Sequence, residues 1–565
     1  LFPPAPDPDR TVHLVERLLR QQIEVFQVEG EFSLPEATDF WGETRKAPFP
    51  AGTFLVPLDQ PLSPLVRAIL DFHLQMDDAF LRDERRQLER EEASRLYEVT
   101  AWSMPVAYQT ESYWSATMPP APRVPVTLEK LRRTDGRLHH PDAKYGFLID
   151  GGRDRSIDAV ARLLEAGYRL HAARKPFAIA GRAYPRGSFL LRRRANAASP
   201  SLTEDLERIA RQTGIEIVGV DSALADSGSD LGGNDFGLLE APRVGVFAGS
   251  IVSSSAFGEI WFLFDEELGI RLSPIDLLAP GDLDKYNVLI LPSLYTEPER
   301  YRQLLGKAGI DRLKGWVERG GTLIAIGDGA AFVAGQESGL SQVRLRREAL
   351  EKFPPPRLGL PDTVARRLGL QEATGFLPAE GEAPPAALEE TFGIPGPGSP
   401  LLGPGARAFL GETSPPSLPL PPQEDPESTD LDAWRRIDER LRRFSPQGAF
   451  LRADLDTEHW LASGMPERMA VLIQGDYAYI ARKPVRTVAR LADPARLQVS
   501  GLLWPEAAGR LAQTAYLTIE GVGRGSIVLF AASPLFRASL PATARLFKNA
   551  VVLTPGLGAS HPAPW

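Results

Sequence analysis

The chain has no cysteine. Disulfides, thiolate-bound metals and a cysteine nucleophile are therefore excluded, while the compartment stays open, because a chain without thiols suits oxidising and reducing surroundings alike. There is no run of about 18 apolar residues, so no membrane-spanning helix is expected. Charge of one sign is not concentrated either: 64 Lys and Arg stand against 73 Asp and Glu, a net charge of -9. No basic stripe interleaved with aromatics exists, which removes the electrostatic footprint of a nucleic-acid binder. The densest basic run, Arg192 to Arg194, reads as a solvated strand end. Three catalytic signatures are missing as well: no G-x-G-x-x-G phosphate cradle, no G-x-S-x-G elbow and no H-E-x-x-H pair. The chain opens on Leu1 with no leader pattern of basic, apolar and small-residue regions, as expected of a processed or excised piece.

At 565 residues there is room for three or four domains, each burying its own core. With 43% apolar and 24% charged residues, most of the chain should be globular. The strongest internal signal is a repeat. Asp9 to Ser33 (DRTVHLVERLLRQQIEVFQVEGEFS) aligns without a gap on Asp154 to Ala178 (DRSIDAVARLLEAGYRLHAARKPFA). Each is followed by one phrase, FPAGTFLVP at Phe49 to Pro57 and YPRGSFLLR at Tyr184 to Arg192, the first copy having gained about ten residues around Trp41. The second copy begins with an apolar strand, Tyr145 to Asp150; in the first copy that strand would need residues before Leu1, so its slot is expected to be open.

The first unit, 1–143, should hold the repeated amphipathic helix, a heavily charged exposed helix between Asp77 and Arg95, and an aromatic segment. The second unit, 144–220, repeats the helix–strand alternation, which predicts a largely parallel sheet. A Gly/Ser/Asp-rich stretch, 221–241, reads as a linker. From 242 to 336, short apolar strands at Val244, Asn287 and Gly321 alternate with helices, one of them placing Trp261 and Phe264 inward, which predicts a doubly wound sheet. A Pro/Gly-rich insertion covers 337–430, the same domain resumes over 431–555, and 556–565 is a tail. The fold class is thus α/β: two repeated α/β units followed by a doubly wound, flavodoxin-like domain with a long Pro-rich insertion.

Several phrases in order carry a family resemblance: PAGTFLVPLDQP at Pro50 to Pro61, YEVTAWSMP at Tyr97 to Pro105, PRVGVF with GEIWFLFDEELGI and YNVLILPS, ERGGTLIAIGD, and GAFLRADLDTEHWLASGMPE followed by GRGSIVLFAASPLFR. Together they resemble the region downstream of the catalytic domain in large bacterial zinc carboxypeptidases of the carboxypeptidase A-like superfamily. The resemblance implies that the second half is class I glutamine amidotransferase-like, that the protein is periplasmic or extracellular, and that a zinc peptidase domain or subunit, absent from this chain, completes the first sheet and acts on a peptide substrate. Zinc is expected in that missing part and no cofactor in this chain.

A zinc site needs three protein ligands and an open water position. His13 and Glu16 with His139 and His140 imitate such a set, but His13 falls where the second copy has Asp158, so the slot reads as exposed helix surface and the set is rejected. An amidotransferase needs a Cys at the sharp turn after a strand. Here the turn is Gly327-Asp328-Gly329, a degenerate elbow, and His459 reads as a loop or cap residue. Tyr97, Trp102, Tyr108, Tyr113 and Trp114 concentrate aromatics that form either a contact groove or packed core. The expected function is a non-catalytic accessory portion of a secreted zinc carboxypeptidase-like protein, the complete assembly being the hydrolase. The alternative is a free-standing ligand-binding or scaffold protein with a degenerate amidotransferase-like domain.

Overall fold

The computed structural model describes residues 1–73, 76–90, 93–131, 136–277, 281–349 and 431–558. Most of the Pro/Gly-rich insertion, from 350 to 430, and the end of the tail, 559–565, lie outside the described residues.

The repeat is a repeat of structure down to strand register. In the second unit, Leu170–Ala173 lies between Phe189–Arg192 and Phe236–Leu238, with His171 opposite Leu190. In the first, Phe26–Val28 lies between Phe54–Leu55 and Arg123–Pro125, with Phe26 opposite Leu55, the equivalent pair. Each unit then adds a hairpin closed by stacked aromatics, Phe32 on Phe49 at 5.0 Å and Phe177 on Tyr184 at 5.1 Å. The extra residues around Trp41 lengthen the first hairpin and leave its base unchanged. A third strand joins each hairpin, Tyr113–Trp114 in one unit and Ser227–Gly228 in the other.

Two expectations are corrected here. The sheets of the repeat units are mainly antiparallel. Gly146–Ile149 and Leu170–Ala173 do run parallel, as a helical crossover requires, but the hairpin returns Phe189–Arg192 between them, antiparallel to both. The segment 221–241 is not a free linker, since it supplies the strands Ser227–Gly228 and Phe236–Leu238. In the first unit the equivalent slot holds one residue, Phe2, which pairs with Phe54 through two backbone hydrogen bonds of 2.8 and 2.9 Å, where the second unit pairs all of Gly146–Ile149 with Phe189–Arg192.

The charged helix Asp78–Glu89 buries one face. Leu81 and Leu88 join the main core. Arg85 pairs with the buried Glu506 and lies over the rings of Phe444 and Trp504, at 5.0 and 5.7 Å from their centroids. Its few apolar residues sit at helical spacing, and the arginine stem covers apolar surface while its head finds a carboxylate.

The second half is doubly wound. Its parallel strands stand in the order Leu272–Asp276, Val244–Ala248, Val288–Leu291, Thr322–Ile326, Gly525–Phe530, which is the flavodoxin-like order 2-1-3-4-5. Antiparallel strands from Ala515–Val522 to Arg468–Gln474 extend the sheet. In the helix Ser254–Phe262, Trp261 is 44% exposed, contrary to expectation, whereas Phe264 is buried. The wider π-type turn Leu263–Leu268 shifts the helical phase, so that Leu263, Phe264 and Leu268 face the core.

Candidate functional site

The elbow exists as a backbone feature. The strand Thr322–Ile326 ends at Gly327, whose φ of 54° lies in the left-handed region that favours glycine, and the helix Asp328–Ala334 starts at once. Gly329 allows that helix to approach the neighbouring strand: a Cβ there would lie 2.4 Å from the Leu291 carbonyl oxygen. Asp328 therefore stands at the sharp turn where a nucleophile is presented in hydrolases of related topology.

Its carboxylate is engaged. Oδ2 accepts the Leu294 N–H at 3.0 Å and Oδ1 accepts the Tyr477 hydroxyl at 2.6 Å. Burial raises the Asp328 pKa above the ordinary carboxylate range. Burial, followed by the charge of Asp328, likewise raises the Tyr477 hydroxyl, so it stays a donor. Tyr479 adds a weaker contact from its hydroxyl to the Gly327 carbonyl at 3.4 Å. In open parallel sheets ligands enter at the switch point beyond the strand ends. Here the two loops at that point are stitched together: Ser253 N–H donates to the Ser293 carbonyl at 3.0 Å, Tyr295 N–H donates to the Ile251 carbonyl at 3.0 Å, and Val252 bridges to Leu294. Ser254 N–H also donates to the Tyr295 hydroxyl at 2.8 Å.

The imitation zinc set is not brought together. Glu16 is buried and bonded to Arg20 at 2.8 Å. His139 lies on a strand of the second unit with Glu216 3.7 Å away, and His140 faces Asp221 at 3.0 Å. Among the described residues, no group of three His, Cys, Asp or Glu is placed to hold a metal ion. The residues present do not fit zinc. His13 does not lie on the exposed helix surface expected of it, however. Neither His13 nor its counterpart Asp158 is on an exposed surface: both line one cleft, where His13 packs edge-on against Tyr108 at 5.4 Å and Asp158 meets Lys548 at 2.7 Å. Burial and the nearby Arg17 lower the His13 pKa to about 4, so the ring is neutral at pH 7. His459 is buried and its Nδ1 accepts the Leu461 N–H, capping a short helix.

The aromatic segment is not one groove. Tyr97 is 98% and Trp102 46% exposed, whereas Tyr108 and Tyr113 are core residues. Trp114 is partly buried, donating Nε1–H to the Leu70 carbonyl at 3.2 Å, and with Tyr113 it borders a separate apolar cavity of about 400 Å³.

Sequence reasoning passed over a set of arginines. Arg10, Arg17, Arg155 and Arg162 all line the cleft that contains His13 and Asp158, and the repeat alignment equates Arg10 with Arg155 and Arg17 with Arg162. That spacing was visible in the alignment; that the two helices face each other was not.

No protein-family model matches this sequence, and no curated protein matches it. Among solved structures the chain is similar to a beta-galactosidase from Bacillus circulans sp. alkalophilus at 15% identity, over 57% of this chain and 32% of that one, with a TM-score of 0.24. The chain thus spans about a third of that enzyme's length. It is also similar to PurLQS from Thermotoga maritima at 11% identity, over 55% of this chain and 97% of that one, with a TM-score of 0.28. A glutamine amidotransferase from Thermotoga maritima matches at 8% identity, over 55% of this chain and 98% of that one, with a TM-score of 0.27. The doubly wound fold is assigned from its own strand order and not from these superpositions.

Proposed function

We propose that this chain is a non-catalytic, accessory portion of a zinc carboxypeptidase-like protein, in which a degenerate amidotransferase-like domain serves as scaffold. The observation that carries the reading is the elbow. An Asp replaces the nucleophile, both its oxygens are spent on Leu294 and Tyr477, and backbone pairing between residues 251–253 and 293–295 fills the crevice where a substrate would enter. An enzyme site keeps such groups available to the reacting atoms. The peptidase, its zinc and the peptide substrate belong to a partner domain or subunit, and the exposed Tyr97 and Trp102 are the aromatic side chains of the segment still free for contact.

The test is metal analysis and activity of native material beside the isolated chain. The native assembly is expected to carry zinc and to release C-terminal residues from peptides, while the isolated chain does neither and hydrolyses no glutamine. Stoichiometric zinc in the isolated chain, or a glutaminase activity abolished by Asp328→Asn, would overturn the reading.

The alternative, a free-standing ligand-binding protein, is favoured by one observation, the charged cleft of about 270 Å³ at the junction of the two units and the doubly wound domain.

A further inference from the structure

The cleft is built by the duplication. The N-terminal ends of the two equivalent helices, Asp9–Arg20 and Ser156–Glu165, are tied by crossed ion pairs: Arg10 forks onto Asp154, with one contact at 2.7 Å, and Arg153 reaches Asp7 and Asp9 at 3.1 and 3.0 Å. Three aligned positions from each copy, Arg10, His13 and Arg17 with Arg155, Asp158 and Arg162, therefore line one cavity. Its floor is the helix Pro541–Leu557. From it the buried Arg545 holds the carbonyls of Gly151, Arg153 and Asp154, and the buried Lys548 sits between Asp158 and Glu267 at 2.7 Å from each.

The charges of this cavity are unevenly satisfied. Asp9, Asp154, Asp158 and Glu267 each have a cation, Glu259 accepts from Ser533 Oγ–H and Arg537 N–H, and Glu266 is exposed at the rim, with no cation among the described residues. Arg17, Arg155 and Arg162 have no carboxylate within ion-pair distance among the described residues. Arg17 lies 6.0 Å from the Tyr108 ring centroid, Arg155 makes a 3.4 Å contact to the Thr213 carbonyl, and Arg162 donates to the Glu267 carbonyl at 3.0 Å while its Nε is buried without a partner. Guanidinium groups turned into a partly enclosed space, with fork donors unused, are suited to planar anions.

We propose that this cleft binds a small dicarboxylate, its two ends held by Arg17 from the first copy and by Arg155 with Arg162 from the second. The volume, about 270 Å³, accommodates a molecule of that size. Carboxylates are favoured over phosphates because Asp9, Asp158 and Glu267 already border the space, and a group carrying one charge per end meets less repulsion there than one carrying two. The site is independent of the accessory role proposed above: it requires neither a peptidase nor zinc.

The test is calorimetric titration of the full chain with glutarate and succinate at fixed ionic strength, with acetate and inorganic phosphate as comparators. One saturable site is expected for glutarate or succinate. Arg17→Gln and Arg162→Gln should each weaken it at least tenfold, and Arg211→Gln, on an exposed helix face beside Glu207, should leave it unchanged. Among the described residues the Arg17 side chain has no hydrogen-bond partner to lose and only the Tyr108 ring contact at 6.0 Å, so its variant should melt close to the wild type and report on binding. The absence of saturable heat, unchanged binding in both arginine variants, or phosphate binding more tightly than either dicarboxylate would overturn the proposal.

Discussion

Replacing Lys548 by Met should be among the most damaging single changes in the molecule. Its ammonium is buried at the junction of all three units, 2.7 Å from Asp158 of the second and 2.7 Å from Glu267 of the doubly wound domain. At that separation and an effective dielectric of about 20, each contact carries roughly 6 kcal/mol of attraction, which desolvation offsets by several kcal/mol per ion. The measurable quantity is what remains when one charge is removed: two carboxylates confined without a counter-ion, at a cost of about 3–5 kcal/mol. Asp158 is the more buried of the two, with a side chain 10% exposed against 34% for Glu267, so Asp158→Asn should suppress the defect of Lys548→Met better than Glu267→Gln does. The pH dependence has a definite sign. Without the lysine, the folded-state pKa of the pair rises above the unfolded value, so the variant loses stability as pH climbs from about 4 to 7 and is partly rescued by acid. Urea denaturation of wild type, single and double variants at pH 5 and 7 reads both effects. A loss below about 1 kcal/mol for Lys548→Met, or a defect that grows on acidification, would refute this account of the junction.

Three further outcomes are expected. His13 is neutral in the fold with its pKa lowered to about 4, so its contribution to stability is intact above pH 6.5 and is lost as pH falls toward 4. His13→Gln should remove about 2 kcal/mol of that acid sensitivity, after allowance for its partial exposure. The check is a pH series of urea midpoints against wild type; Asp9, whose pKa burial and Asp7 raise to about 6, acts in the opposite direction and is common to both proteins. Gly329→Ala should cost at least about 2 kcal/mol, because the new Cβ meets the Leu291 carbonyl oxygen at 2.4 Å. Gly258→Ala, in a helix with open space around it, should stabilise by about 0.5–1 kcal/mol. Thermal melts of the two variants separate the close approach at the elbow from ordinary helix propensity.

Much of the local structure was legible. Apolar spacing marked the helices Asp9–Arg20 and Ser156–Glu165, turn phrases marked Gly52 and Gly187, and short apolar runs marked the strands of the doubly wound sheet. The alignment of the two copies anticipated a shared unit, and equivalent strand register followed from it. Strand direction in those units was not legible, because nothing in a helix–strand alternation reveals that a hairpin will return a strand between two others. Trp261 was misplaced because a π-type turn resets the helical phase just beyond it.

The sequence by itself determined what chemistry is unavailable and which segments are copies: no thiol exists, and the elbow carries Asp328. Tertiary structure alone decided what those residues meet. His13 and Asp158 occupy matching helical positions, and the periodicity of a single helix cannot tell a solvent-facing slot from one facing a second helix, since both permit polar residues. Only the packing of two helices over Arg545 and Lys548 turns the arginines at matching positions into one cleft.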